Sequence, residues 1–137
     1  LVEIYYQKYI GNKEVNKIVT IAVNGIPFAT LAASALAKPL LVMKKHKDSI
    51  HLEYLDENLK ESEGMVTTIY LRKDYINRGD KILLIDDVIR TGTTIYAAYK
   101  LLDKSGAEVV GAITIASVGR EWIKHVNTIN IYPIFRL

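Results

Sequence analysis

The stretch that most constrains the fold is Ile82-Leu83-Leu84-Ile85, which runs without a break into Asp86-Asp87 and then Val88-Ile89-Arg90-Thr91-Gly92-Thr93-Thr94. An apolar run with no polar alternation is the mark of a strand covered on both faces, as in parallel sheets flanked by helices. The periodic stretch Ile95 to Lys104 continues it as a helix. A strand, a short loop and a helix in that order place the loop where open parallel sheets bind ligands, beyond the carboxyl ends of the strands. Gly92 permits a tight turn there. The hydroxyls of Thr91, Thr93 and Thr94, with the free amides of a helix start, form a cup for a phosphate. Asp86 and Asp87 would repel that phosphate. They suit the hydroxyls of a sugar, or a Mg²⁺ ion reached through water. A Thr helix cap beside an Asx turn is the plainer reading. It leaves two adjacent acids at the end of a buried strand with nothing to offset their desolvation. The spacing of a Walker loop is absent.

The rest of the chain supplies more units of the same kind. Leu1, Ile4, Tyr5 and Tyr9 share a helical face that Gly11-Asn12 ends. Ile18 to Val23 is a short β-branched strand, followed by an Asn24-Gly25 turn. A helix with Pro27 as its first residue then runs through Phe28 to Ala37. Leu40 to Met43 is a second strand. Lys44 to Glu63 is polar and without period, so it is expected to be a long functional loop or a two-stranded arm. Met65 to Leu71 is a third strand, and Asn77 to Asp80 is a turn before the central run. Val109 to Ala116 and a short piece within Ile129 to Phe135, interrupted by Pro133, complete the set. The alternation predicts an α/β fold with a mainly parallel sheet flanked by helices, one domain over residues 1–137.

Composition adds exclusions. Half of the 137 residues are hydrophobic, enough for a genuine core. The absence of cysteine removes disulfides and thiolate metal sites and fits a reducing compartment. The apolar runs are too short to span a bilayer and no leader pattern opens the chain, so no membrane partner is expected. Leu1 rather than Met at the start suggests a missing N-terminal piece. The net charge of +3 without a Lys/Arg run gives no reason to expect nucleic acid. His46, His51 and His125 lack metal-ligand spacing and read as surface residues, and Trp122 reads as packing.

Leu84 to Thr94 resembles the donor-binding signature of the type I phosphoribosyltransferases: an apolar strand, two acids, two apolar residues, one variable residue, then Thr-Gly-x-Thr. The resemblance implies that Asp86 and Asp87 hold the ribose hydroxyls of phosphoribosyl pyrophosphate. Arg90, Thr91, Gly92, Thr93 and Thr94 would then hold its 5-phosphate. Val23, Asn24 and Gly25 stand where the family binds pyrophosphate, and Lys44 and Lys45 where it places basic residues against it. Ser49-Ile50-His51-Leu52-Glu53-Tyr54 is similar to the mobile catalytic loop of adenine phosphoribosyltransferases. Arg72 to Asp80 and Gly119-Arg120-Glu121 resemble two further segments of the same enzymes, in the same order.

The resemblance further implies a transfer of the phosphoribosyl group to a purine base, with adenine the first candidate. Glu53 would manage the base's proton, Tyr54 would help cover the leaving group, and Mg²⁺ would accompany the donor. No direct metal ligand is implied, since the substrate itself carries the ion. A partial hood over the base, a homodimer and a cytoplasmic location are family expectations. Arg90 departs from the pattern on two sides. The 6-oxopurine enzymes carry an acid at that position and the adenine enzymes a small residue. Hypoxanthine-guanine and orotate enzymes therefore stay open as alternatives. So does a non-catalytic regulator of purine genes that senses the donor.

Overall fold

The computed structural model describes residues 1–61 and 64–137. Its strands are β1 (Lys17–Ile21), β2 (Leu40–Met43), β3 (Tyr54–Lys60), β4 (Val66–Arg72), β5 (Lys81–Ile89), β6 (Glu108–Ser117) and β7 (Ile131–Arg136). The helices are α1 (Val2–Tyr9), α2 (Ile26–Leu36), α3 (Thr93–Lys104) and α4 (Glu121–His125). Five strands form one sheet in the order β2-β1-β5-β6-β7, every neighbouring pair parallel. β5 is the central strand, which accounts for its unbroken apolar run: it is covered on both faces.

On one face α1 and α2 pack with Ile18, Ala29, Ala32, Leu83, Ile85 and Ile113. On the other, α3, α4 and the β3-β4 hairpin enclose Val19, Leu84, Ile95, Leu101, Leu59, Ile69 and Trp122. Each such Leu or Ile, fully withdrawn from water, stabilises the fold by about 1.5–3 kcal/mol. The two non-consecutive strands β1 and β5 are also tied at their amino ends. The buried Asp80 carboxylate accepts from Lys17 Nζ at 2.6 Å, Asn77 N–H at 2.7 Å and Asn16 Nδ2 at 3.0 Å. Burial alone would push its pKa up, but these donors more than offset that and hold it below the ordinary aspartate value.

Several boundaries differ from the sequence expectation, each for an identifiable reason. β1 stops at Ile21, and Ala22 to Gly25 turn instead of extending the strand. Pro27 lies within the first turn of α2, one residue after its start, and α2 ends on Ala37 in the left-handed region at φ 53°. β4 does not join the main sheet; it pairs antiparallel with β3 alone. The stretch from Lys44 is thus half loop and half strand, with Ser62 and Glu63 outside the described residues. β3 conceals its period of two because Glu57 faces inward between Leu55 and Leu59. Its carboxylate is met by Lys104 at 2.8 Å and Lys100 at 3.4 Å, both on α3. β5 runs four residues past Ile85, so both aspartates belong to the strand, with Asp86 in register with Thr114. α3 begins at Thr93, placing Thr93 and Thr94 in its first turn. Pro133 stands inside β7, which tolerates it as an edge strand paired on one side. Among the described residues no helix is long and apolar enough to cross a membrane.

Candidate active site

A cavity of about 380 Å³ opens at the carboxyl ends of β1 and β5. Here the sheet changes direction: the loop after β1 leads to α2 on one face, and the loop after β5 leads to α3 on the other. Such crossover points leave a crevice between diverging loops. Val23 and Asn24 line it from the first loop, Lys45 from just after β2, Lys60 and Glu61 from the arm, and Asp86 to Ile95 from the end of β5, the turn after it and the start of α3.

The carboxyl end of β5 and the turn after it supply most of the chemistry. Asp86 is 7% exposed, and its Oδ1 accepts the Asp87 amide at 2.9 Å. Burial, reinforced by the neighbouring Asp87 charge, pushes the Asp86 carboxyl up to about 7. Asp87 is half-buried on the cavity wall. Gly92 follows at φ 86°, a left-handed turn that a residue with a Cβ adopts only under strain. As the N-cap of α3 it offers no side chain to the first-turn amides, which an incoming anion can therefore take. The Thr91 and Thr93 hydroxyls share a hydrogen bond at 3.1 Å, and Thr93 N–H donates to Thr91 Oγ1 at 3.4 Å.

Gly25 has a role that spacing did not suggest. A Cβ there would lie 2.4 Å from Thr20 Oγ1 and 3.1 Å from Asp86 Oδ1. The glycine lets the loop after β1 close onto the acid pair from beneath, while Val23 and Asn24 reach the cavity. The Ala22–Val23 peptide in this loop is cis. The buried hydroxyls of Thr20 and Thr114 have no hydrogen-bond partner among the described residues.

Other candidates are drawn apart. Lys45 Nζ sits 2.5 Å from Glu61 Oε1, and both line the cavity. Lys44, one residue earlier, points to a separate groove with Tyr54, Tyr70 and Arg72, where Nζ meets Asp48 Oδ1 at 3.0 Å. Lys44 and Tyr70 also exchange backbone hydrogen bonds in a strand-like bridge, so consecutive side chains alternate in direction. The Tyr54 hydroxyl accepts the Asp48 amide at 2.8 Å and shapes that loop instead of facing the cavity. Glu53 is exposed beside His51, Lys73 and Asp74, outside the cavity wall. His46, His51 and His125 are exposed, and Trp122 is buried in the core. Sequence reasoning missed Lys60 and Glu61, whose approach depends on the hairpin, and the contact of α4 with Gly92. Among the described residues no group of three or more His, Asp or Glu is arranged to hold a metal ion.

A parallel sheet whose crossover carries an acid pair beside a threonine-lined helix start defines an α/β protein with a ligand crevice at its topological switch point. More specifically, the chain belongs to the phosphoribosyl transferase domain family, whose model matches residues 1–133. It is 36% identical to a hypoxanthine/guanine phosphoribosyltransferase of Ferroglobus placidus, over 80% of this chain and 57% of that protein. It is 32% identical to a xanthine phosphoribosyltransferase of Clostridium novyi, over 83% of this chain and 61% of the relative. The chain thus spans about three fifths of the length of these curated relatives. The crystal structure of an adenine phosphoribosyltransferase from Thermoanaerobacter pseudethanolicus has the same fold. It gives a TM-score of 0.89 at 21% identity, over 99% of this chain and 78% of that one.

Proposed function

We propose that the protein transfers the 5-phosphoribosyl group of phosphoribosyl pyrophosphate to a ring nitrogen of a purine base and releases pyrophosphate. The observation that carries this reading is the meeting, in one cavity, of the Asp86-Asp87 pair with the Thr91–Thr94 turn. The turn receives the 5-phosphate and the acids receive the ribose hydroxyls, which fixes C1 of the sugar between the two loops. Breaking the C1–oxygen bond builds positive charge on the sugar and negative charge on the leaving diphosphate. Lys45 and the amides around Asn24 answer the second charge, and the carboxylates answer the first. Fixed positions on rigid strands supply the orientation that such a displacement needs.

Two carboxylates are too few for an all-protein Mg²⁺ cage, so the ion fits best as part of the donor, reached from Asp86 and Asp87 through water. When bound it would neutralise diphosphate oxygens. The proton-handling role of Glu53, and those of Lys44 and Tyr54 at the diphosphate, require the loop after β2 to close over the cavity. A cytoplasmic homodimer belongs to the same family-based reading.

Adenine is favoured by the Leu-Glu-Tyr and Gly-Arg-Glu segments. One observation favours a 6-oxopurine instead: Arg90 lines the cavity. A guanidinium pairs with the two adjacent acceptors O6 and N7 of a 6-oxopurine, whereas adenine presents an amino donor beside its N7. Incubating the protein with Mg²⁺, the donor and each of adenine, hypoxanthine, guanine, xanthine and orotate, then assaying pyrophosphate and nucleotide, tests both levels. Nucleotide from at least one purine is expected. Donor binding without turnover of any base would replace the enzyme reading with that of a sensor.

A further inference from the structure

α4 follows β6, yet it lies against the turn that opens α3. A Cβ on Gly92 would stand 2.6 Å from Val126 Cγ2 and 3.3 Å from Trp122 Cβ. Val126 and Trp122 are 4% and 7% exposed, and Val126 N–H donates to Trp122 O at 2.9 Å, so the two lean on Gly92 as one unit. That unit is itself suspended from the sheet. The Trp122 indole N–H donates to Gly119 O at 3.3 Å, Gly119 N–H to Leu137 O at 3.4 Å, and Val118 N–H to Ile89 O at 2.9 Å. The end of β5, which leads into the threonine turn, is therefore bonded to the segment that carries α4.

A glycine left to itself samples both signs of φ with similar ease. Gly92 at φ 86° has two apolar side chains against the position a Cβ would occupy, so the turn is packed closely from that side. We propose that Trp122 and Val126 are positioning residues for the phosphate cup, holding the Gly92 turn in the left-handed form from which Thr91 to Thr94 receive the 5-phosphate. The inference rests on the reading of that turn as the phosphate site. It adds that the affinity of the site is set in part from α4, which the cavity wall does not include. Pre-organisation of this kind raises affinity by removing the ordering that binding would otherwise require.

The test uses ribose 5-phosphate and Mg-pyrophosphate as separate probes of the full chain, by calorimetry at 25 °C. Val126→Ala and Trp122→Ala are expected to weaken ribose 5-phosphate about tenfold, with Mg-pyrophosphate affinity and the far-UV spectrum unchanged. Trp122→Phe, which keeps the aromatic bulk, should bind within about twofold of the parent. Trp122 is the sole tryptophan, so its emission should shift when ribose 5-phosphate saturates the parent protein. Should Trp122→Ala fail to fold, Val126→Ala decides. Unchanged ribose 5-phosphate affinity in Val126→Ala would overturn the positioning role, as would an equal loss of both probes. A parent protein that binds Mg-pyrophosphate but no ribose 5-phosphate would instead sink the phosphate-cup reading, and the proposal with it.

Discussion

The segments after β5 and after β2 look equally well equipped in the sequence, yet they fold into different kinds of structure. Asp86 to Thr94 lie on a rigid strand, one turn and a helix start, so nearly every polar group in them faces one cavity. Lys44 to Tyr54 lie on a loop whose members satisfy one another: Lys44 with Asp48, Tyr54 with the Asp48 amide, and Glu53 in a separate surface hollow. Only Lys45 reaches the cavity, and it meets Glu61 there. A cluster that is contiguous in sequence becomes a cluster in space when its backbone is a buried strand end. Lys44 instead sits in a strand-like bridge, where successive side chains point to opposite sides, so it and Lys45 part company.

The largest effect that sharpens this contrast should come from the acid pair. Asp87→Asn is expected to lower kcat/KM by about 100-fold, the loss of a charged hydrogen bond to the sugar, seen in steady-state kinetics with varied donor. Retention of near-parental activity would mean that the acids do not hold the ribose. A smaller effect separates the two lysines. Lys45→Ala should raise the donor KM about tenfold and Lys44→Ala less than about twofold. Equal penalties would show that the loop after β2 closes during turnover and joins the cavity wall.

The smallest effect concerns pH and the donor-free protein. With its carboxyl pushed up to about 7, native Asp86 keeps a proton that the unfolded chain releases near pH 4. The native state therefore binds more protons across that window, and this group's contribution to stability falls as pH rises from about 4 to about 7. Melting temperature should be a few degrees higher at pH 5 than at pH 7.5, and Asp86→Asn should flatten that difference. The same substitution should stabilise the donor-free protein at pH 7.5 while impairing turnover. A parental protein whose melting temperature rises over that range would break the assignment.

Legibility in the sequence divides along the same line. The parallel sheet, the central strand and the threonine turn could be read because their signals are local: an unbroken apolar run, a glycine, a helix start. Glu57 hid β3 because the lysines that justify a carboxylate facing inward are more than forty residues away on α3. Gly25 reads in the sequence as part of a pyrophosphate-binding turn, and only the approach of Thr20 and Asp86 shows that its lack of a side chain also serves packing. The part played by α4 was hidden likewise, since nothing near Gly92 in the chain predicts Val126 against it. Arg72 to Asp80 was recognisable as a segment. The Lys17 ammonium that holds Asp80 charged could be seen only once β1 and β5 were side by side.

That adjacency also carries a cost in chain entropy. Ile18 pairs with Leu83, so the two strands that frame the cavity are joined only after the intervening helix, β2 and the whole arm have been looped out. Contacts of such long range slow folding, because loop-closure entropy is lost before the pairing offsets it. The floor of the cavity therefore exists only where these two distant segments have been joined. On the proposed function, a sugar phosphate that spans both loops would bind the folded chain and not the unfolded one, and so would stabilise the fold by mass action.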